Sequence, residues 1–204
     1  MKRIITCAAG LLLAATLFAG PASAAELRGR LAATARVGVV NPTDNERSGG
    51  AYNIVVPTDA GLLIGGGILY GIDDNVALEI NIDRSVVSTP GNPNGWGDVE
   101  MKDLSIGMQY RLPERSRLVP YAGGGIDVLI NGASDSNVSA IDTVFGAHIK
   151  GGLDYFVTRE LAINAELKGV EAISADVKDN AGHKIGSFDP TSLNFTVGVR
   201  FFFN

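Results

Sequence analysis

The fold of this chain is decided by the stretch Ser192-Leu193-Asn194-Phe195-Thr196-Val197-Gly198-Val199-Arg200-Phe201-Phe202-Phe203. Successive side chains of a β-strand point to opposite faces, so this stretch predicts a strand with one apolar and one polar face. The apolar face carries Leu193, Phe195, Val197, Val199, Phe201 and Phe203. The other face carries Ser192, Asn194, Thr196, Gly198 and Arg200.

Two further stretches alternate in the same way. One sets Leu161, Ile163, Ala165 and Leu167 against Glu160, Asn164, Glu166 and Lys168. The other sets Val76, Leu78, Ile80 and Ile82 against Asn75, Glu79, Asn81 and Asp83. Along the whole chain the pattern predicts eight strands, near residues 30–40, 60–70, 75–88, 99–111, 118–131, 142–156, 160–173 and 191–203. Most of them exceed the roughly 9–11 residues that a tilted strand needs to cross a bilayer.

A short motif recurs four times and indicates repeated units. Each copy is a glycine, an apolar residue, any residue and an aromatic, and the copies are Gly67–Tyr70, Gly107–Tyr110, Gly152–Tyr155 and Gly198–Phe201. They are spaced roughly 40 to 46 residues apart, a period that β-propeller blades also show. Each period here holds two alternating runs instead of the four strands of a blade, so it predicts a hairpin.

The connections between the predicted strands alternate in length. The short ones are 71–74, 113–115 and 157–159, and the long ones are 41–59, 89–98, 132–141 and 174–190. A soluble antiparallel sheet also alternates polar and apolar residues, but it has no reason to collect its long loops at one end. Short turns at one end and long loops at the other are typical of an outer-membrane barrel.

Aromatic residues end four of the predicted strands. Tyr70, Tyr110, Tyr155 and Phe201 all lie on the apolar parity and at the same depth. Four unrelated core aromatics would not share one depth, so we interpret them as a girdle at a membrane interface.

The beginning of the chain predicts export. Lys2 and Arg3 precede an apolar run at 11–18, and Ala22-Ser23-Ala24 matches a signal-peptidase site. The alternative, an uncleaved anchor, requires a longer apolar run. We therefore expect a cleaved signal peptide at 1–24 and a barrel domain at 25–204.

The composition excludes several classes of protein. The lone Cys7 lies in the leader, so the mature chain has neither a disulfide nor a thiol nucleophile. The net charge of −5 becomes more negative when Lys2 and Arg3 are removed, which argues against a nucleic-acid partner. No later apolar run approaches the length of a membrane helix.

With the strands laid out, the mature chain resembles the OmpW-like family of small outer-membrane barrels. The resemblance is carried by Ala35–Pro42, Val119–Gly125, Gly152–Phe156 and Leu161–Glu166. It implies an all-β, eight-stranded antiparallel up-and-down transmembrane β-barrel in the outer membrane of a Gram-negative bacterium. It also implies a narrow channel or binding pocket for small hydrophobic molecules.

The end of the chain resembles the signal that the outer-membrane assembly machinery reads. Thr196, Gly198, Phe201 and Phe203 supply its polar residue, its glycine and its two spaced aromatics. The resemblance therefore implies two partners, the assembly machinery and the lipid of the outer membrane.

The inward parity carries charges of both signs. Besides Arg30 and Glu160, its charged residues are Arg36, Glu79, Asp83, Asp103, Arg111, Asp127, Lys150, Asp154, Glu166, Lys168 and Arg200. An eight-stranded barrel is about wide enough for side chains to fill, and buried charges must be paired. The alternatives are an ion-pair plug and the selective lining of a polar pore.

Several inward positions are apolar: Leu63, Leu69, Val119, Tyr121, Leu129 and Val144. Together they would line a hydrophobic pocket that opens outward above the charges. A solute held there would leave sideways between strands, where Gly65, Gly67, Gly123 and Gly125 thin the wall. The alternative is that these glycines only relieve crowding.

Catalytic and metal motifs are not found in the sequence. His148 is followed two residues later by Lys150 rather than by a serine, and His183 lies in a loop. We expect no enzyme, no metal and no cofactor. The leading function is a channel or pocket for small hydrophobic molecules. The alternatives are a structural or adhesive barrel with a plugged lumen and surface loops, and last a lipid-active enzyme.

The export signal and the closed sheet predict one gel experiment. The mature protein should begin at Ala25, and unheated samples should migrate differently from boiled ones because a closed barrel resists detergent. N-terminal sequencing and gels of heated and unheated membranes test this. A product that retains residues 1–24, or one whose migration is insensitive to heat, contradicts it.

Overall fold

The fold is described from a computed structural model of the chain. It covers residues 27–42, 45–49, 52–56, 59–89, 97–113, 117–133, 140–178 and 183–203. The predicted leader, residues 1–24, and Ala25 lie outside these residues.

The described residues form thirteen strands. In chain order they are β1 (Leu31–Pro42), β2 (Asn45–Gly49), β3 (Tyr52–Val56), β4 (Gly61–Gly71), β5 (Val76–Thr89), β6 (Gly97–Arg111), β7 (Leu118–Ala133), β8 (Ala140–Ile141), β9 (Val144–Phe156), β10 (Leu161–Ala172), β11 (Ala175–Lys178), β12 (Lys184–Phe188) and β13 (Ser192–Phe203). Within the same residues, there is no helix with the length and hydropathy needed to cross a bilayer.

Eight strands form a closed antiparallel barrel. Their order around the barrel is β1-β13-β10-β9-β7-β6-β5-β4. Barrel strands that follow one another in the chain are therefore also paired in the sheet. The first and last strands close the sheet, in a register that runs from Leu31 opposite Phe203 to Pro42 opposite Ser192. The predicted eight-stranded up-and-down barrel is therefore confirmed.

Exposure alternates along the barrel strands as the sequence predicts. In β10, Asn164, Glu166 and Lys168 are buried while Ile163 and Leu167 are exposed. Exposed apolar side chains surround the barrel at mid-height, among them Val37, Ile64, Ile68, Ile80, Ile106, Ile126, Ile149, Ile163 and Val197. An apolar outer band with a polar interior is the arrangement expected of a barrel in lipid.

The long connections depart from the prediction. The sequence predicts loops at 41–59, 132–141 and 174–190, but these segments contain five short strands. They form a second sheet in the order β3-β2-β12-β11-β8. Two of its pairings, β2 with β3 and β11 with β12, join consecutive strands. The pairing of β12 with β2 joins residues as distant as Gly186 and Arg47, which no local pattern predicts.

The second sheet covers the loop end of the barrel. Its residues Ala175, Val177 and Phe188 are completely buried, and they pack on apolar side chains that point into the lumen. A side-chain contact joins β11 to the segment after β8, because Lys178 Nζ donates to both oxygens of Asp142 at 2.8 Å. These hydrogen bonds raise the pKa of Lys178.

The outer band predicts how stability depends on depth. Ile80 lies opposite Ile68 and Ile106 in the middle of the band. Ile80→Arg should lower the free energy of unfolding by ~2–4 kcal/mol, because an arginine at that depth faces hydrocarbon. Reversible urea unfolding in lipid vesicles measures the change.

Ser88→Arg is the matched control. Ser88 lies on the same face of β5 but at its loop end, where an introduced arginine should cost only about 0–1 kcal/mol. Equal losses at Ile80 and Ser88 would show that the band does not face lipid.

Candidate functional site

The inward side chains form three layers along the barrel axis. A turn-end cluster, near the short connections, contains Leu27, Ala32, Leu69, Ala77, Val119, Phe156, Ala162 and Phe202. A loop-end cluster, under the second sheet, contains Val40, Leu63, Val87, Val99, Met101, Leu129, Ile141, Val144, Val170, Ala175, Val177 and Phe188. Between them lies a charged layer, which contains all eleven residues predicted as a lumen charge network.

One part of the charged layer centres on Glu166. Arg36 binds Asp83 with two hydrogen bonds, of 2.9 and 2.6 Å, and reaches Glu166 at 3.4 Å. Lys150 pairs with Glu79 and with Glu166, the latter at 2.8 Å. These contacts join β1, β5, β9 and β10 across the lumen, so the charges brace opposite walls of the barrel.

A second part centres on Asp154, which is completely buried. It accepts hydrogen bonds from Arg111 at 2.6 Å, Arg200 at 2.5 Å and Asn164 at 2.7 Å. Arg200 also donates to Thr34 Oγ1 at 3.0 Å. Two arginines on one carboxylate satisfy a buried charge that would otherwise be costly.

Tyr121 joins these two parts of the charged layer. Its hydroxyl donates to Glu166 at 2.8 Å and accepts from Asn164 at 2.8 Å. The Arg111 and Arg200 guanidinium groups lie 5.4 and 5.2 Å from the centre of its ring. Cations at that distance are attracted by the negative ring face. The prediction that placed Tyr121 in an apolar pocket is therefore wrong.

The third part is a chain of contacts on the side of the layer nearer the loop end. His148 Nδ1 lies 2.8 Å from Asp127, Asp127 binds Lys168 at 2.7 Å, and Lys168 binds Asp103 at 2.6 Å. His148 therefore belongs to a network of buried polar side chains. The chain ends at Asp103, under the loop-end cluster.

Glycines on the inner wall make room for these polar side chains. A Cβ on Gly65 would lie 1.9 Å from Asp83 Oδ1, and one on Gly152 would lie 2.4 Å from the Tyr121 hydroxyl oxygen. Gly67 stands in the same relation to Asn81 Oδ1, at 2.1 Å. A Cβ on Gly125 would lie 2.2 Å from the Ile106 carbonyl oxygen and 2.8 Å from His148 Cε1, and one on Gly123 would lie 2.5 Å from the Met108 carbonyl oxygen. The expectation that the glycines of β4 and β7 thin the wall is corrected, because the space beside them is filled by polar side chains or by the backbone of the neighbouring strand.

The predicted pocket residues do not share one site. Leu63, Leu129 and Val144 belong to the loop-end cluster, whereas Leu69 and Val119 belong to the turn-end cluster. Parity fixes which face a residue occupies, but not its height in the barrel. The loop-end cluster holds a cavity of about 20 Å³.

The turn-end cluster contains residues that the sequence reasoning did not assign. Phe202 points inward between Phe201 and Phe203, packs 5.3 Å from the Phe156 ring and lies under the Arg30 guanidinium at 4.8 Å. Leu27 packs against the end of β4, where a Cβ on Gly71 would lie 1.9 Å from the Leu27 carbonyl oxygen. Three consecutive phenylalanines hid the alternation that identifies Phe202 as inward.

The predicted girdle residues lie on the outer wall. Tyr70, Tyr110, Tyr155 and Phe201 are between 44% and 54% exposed and stand near the short turns. Of the predicted assembly-signal residues on β13, Thr196 is buried and Phe201 and Phe203 are exposed, with Gly198 on the inner parity. Their recognition by assembly machinery remains a prediction.

The chemistry of the lumen offers little for catalysis. His148 and Asp127 form a buried pair, but both belong to the ion-pair chain that includes Lys168. In the part of the chain that the structure describes, no three His, Cys, Asp or Glu side chains are grouped to hold a metal ion.

Comparison with known proteins identifies the family. The model of the outer membrane protein beta-barrel domain matches residues 10–201. The chain belongs to this family. It is therefore a protein of the Gram-negative outer membrane, in agreement with the predicted location. No curated protein sequence matches it.

Solved outer-membrane barrels share the fold. OprG from Pseudomonas aeruginosa is similar with a TM-score of 0.70 and 14% identity, over 88% of this chain and 98% of that one. AlkL, solved in lipid bilayers, gives 0.61 and 18%, over 91% and 95%. E. coli Outer Membrane Protein W gives 0.50 and 20%, over 88% and 100%. The predicted OmpW-like resemblance is confirmed at the level of the fold.

Membership in this outer-membrane family gives the barrel a direction. Short turns face the periplasm and long connections face the exterior in such barrels. The turn-end cluster is therefore periplasmic, and the loop-end cluster lies beneath an extracellular sheet.

The charged layer predicts a large cost for breaking one of its centres. Asp154→Asn should lower the free energy of unfolding by ~3–5 kcal/mol, because Arg111 and Arg200 would lose the carboxylate that neutralises them. Urea unfolding in vesicles measures the loss. Asp142→Asn, which removes the same charge from an exposed pair with Lys178, is the control and should change little. Similar losses for both variants would contradict a tightly coupled lumen network.

Proposed function

We propose that this barrel receives small, mainly apolar molecules from the cell exterior in the extracellular half of its lumen. The loop-end cluster is the receiving chamber. The observation that carries the proposal is the position of this apolar cluster, inside the barrel and above a charged floor.

The composition of the chamber is unusual for a barrel interior. Lumens of outer-membrane barrels are generally polar, because apolar residues are needed on the lipid face. Here seven barrel strands contribute buried apolar side chains, including Val40, Leu63, Leu129, Val144 and Val170. Small ligands bind in sites lined mainly by apolar side chains with a few polar groups, and this chamber matches that description.

The charged layer closes the floor of the chamber. Lys168 on β10 binds Asp103 on β6 across the lumen, and Arg36 on β1 binds Asp83 on β5 over the intervening β4, both beneath the apolar side chains. An apolar molecule that passed between them would separate paired charges without replacing their contacts. The floor therefore supports a receiving chamber in preference to a straight pore.

The extracellular sheet forms the cover of the chamber. Phe188 and Val177 fill its upper part, and the remaining cavity of about 20 Å³ is too small for a whole ligand. Entry of a molecule thus requires β11 and β12 to move away from the barrel mouth. The side chains of the chamber are apolar and make no specific hydrogen bonds, so they can repack around a guest.

A second function is favoured by the same small cavity. A barrel filled throughout, with a covered mouth, would serve as a structural or adhesive element whose extracellular sheet contacts other surfaces. It would bind no apolar solute, which separates it from the first proposal. For either function we also propose that the assembly machinery recognises β13 and that outer-membrane lipid surrounds the apolar band.

A larger side chain in the chamber should weaken the binding of a small apolar molecule. Leu129→Trp adds bulk to its wall, and we expect at least a tenfold weaker affinity for 4-fluorotoluene. The measurement is fluorine NMR of the probe with the barrel in lipid nanodiscs, with empty nanodiscs as background.

Ile130→Trp is the matched control. Ile130 is the next residue of β7 and faces lipid, so the same substitution there should leave binding unchanged. If the unmodified barrel binds no 4-fluorotoluene above background, the receiving function is wrong and the structural function stands.

A further inference from the structure

The cavity at the floor of the chamber has a mixed lining. Apolar side chains such as Leu63, Met101 and Leu129 line part of it, and Asp83, Ser85, Asp103, Ser192 and Asn194 line the rest. Polar groups at the bottom of an apolar chamber fix the orientation and the chemical class of a ligand.

Two acceptors at the floor lack partners. Within the described residues, Asp103 Oδ1 and Asn194 Oδ1 make no hydrogen bond, although Asp103 and Asn194 are only 7% and 6% exposed. Buried polar atoms are nearly always bonded, so an unpaired pair of acceptors beside a cavity calls for a donor.

The ion pairs explain why one carboxylate oxygen of Asp103 has no hydrogen-bond partner. Arg36 occupies both oxygens of Asp83, whereas Lys168 binds only Oδ2 of Asp103 and divides its charge with Asp127. Asp103 is the last member of the chain that runs from His148 through Asp127 and Lys168. Its second oxygen, Oδ1, therefore lies beside the cavity without a hydrogen-bond donor.

The charges of the whole layer point the same way. The buried groups include six carboxylates but only five lysines and arginines. Lys168 is the cationic partner of both Asp103 and Asp127, so these two carboxylates share one positive charge. A water in the cavity would donate hydrogen bonds but would add no positive charge beside Asp103.

We propose that the floor is a binding site for an organic ammonium group, and that the preferred guests of the chamber are small apolar primary amines. This inference rests on the proposed receiving function and names its substrate class. The ammonium donates to Asp103 Oδ1 and Asn194 Oδ1 and adds a positive charge beside the carboxylate that shares Lys168. The hydrocarbon lies among Leu63, Met101 and Leu129.

The size of the cavity suits such a head group. A site of about 20 Å³ has room for a group of the size of one water molecule. An ammonium group has that size and offers three N–H donors, whereas a carboxylate offers none and would be repelled by Asp103. The floor therefore discriminates by charge sign as well as by hydrogen bonding.

A matched series of probes tests the inference. All carry one fluorophenyl ring, and they are 4-fluorobenzylamine, 4-fluorobenzyl alcohol, 4-fluorotoluene and 4-fluorophenylacetate. With the barrel in neutral lipid nanodiscs at pH 7, the amine should bind at least tenfold more tightly than the hydrocarbon, because bonds to charged groups are strong. The carboxylate should bind most weakly.

Two variants remove the acceptors in different ways. Asp103→Asn removes the charge, and Lys168 keeps Asp127 as its partner. Asn194→Leu removes the amide acceptor without changing the charge. Both should weaken binding of the amine at least tenfold more than they weaken binding of 4-fluorotoluene. Glu100→Gln, on the outer wall of the same strand as Asp103, removes an equal charge and should leave the preference unchanged. Heat-dependent gel migration shows that each variant is folded.

The outcomes separate the two proposals. If 4-fluorotoluene binds and the amine binds no tighter, the ammonium site is wrong and the receiving function stands. If none of the probes binds, the receiving function itself fails. A preference for the amine that survives in both Asp103→Asn and Asn194→Leu would also overturn the site, because it would then arise from lipid or from another surface.

Discussion

A strand in hydrocarbon must find partners for all of its backbone N–H and C=O groups, because neither water nor lipid supplies them. Here that constraint is met by the pairing of β1 with β13, which leaves the barrel sheet without an edge. Closure has a second consequence. Because side chains alternate, half of them are forced into a narrow interior, whatever their chemistry. The outward side chains must be apolar, as Ile80 and Val197 are. The inward polar side chains must pair with one another.

The inner half does so with long side chains and glycines. Arg36, Lys150 and Arg200 reach across the lumen, so that residues from distant strands share carboxylates. Such side chains need space over the opposing wall, and a glycine beside Asp83 or Tyr121 provides it. The ion pairs therefore depend on the space that the glycines leave. This explains why a filled lumen contains so many residues without side chains, and why the same glycines do not open a gap.

The sequence was sufficient for whatever depends on local alternation. It identified the eight strands, the inward parity of residues such as Glu166 and Arg200, and the outward parity of Tyr70 and Phe201. It failed for features that depend on a residue's position along the barrel axis or on contact between distant segments. Leu69 and Leu129 share a parity but lie in different clusters. The extracellular sheet arises from pairing such as that of β12 with β2, for which short strands carry no periodic signal. Phe202 was hidden because both of its neighbours are also phenylalanine.

The two halves of the lumen differ in how readily they can rearrange. The charged layer is bound by directional contacts, and moving any one member leaves another unpaired, so it is a rigid floor. The loop-end cluster is held by packing alone, which tolerates rearrangement when volume is conserved. A guest that replaces the buried contacts of Phe188 and Val177 with its own would offset the loss of their packing, and the displaced sheet would remain attached through its connections. The proposed receiving function therefore needs motion only on the extracellular side, because the periplasmic side is closed by ion pairs and by the packing of Leu27 and Phe202.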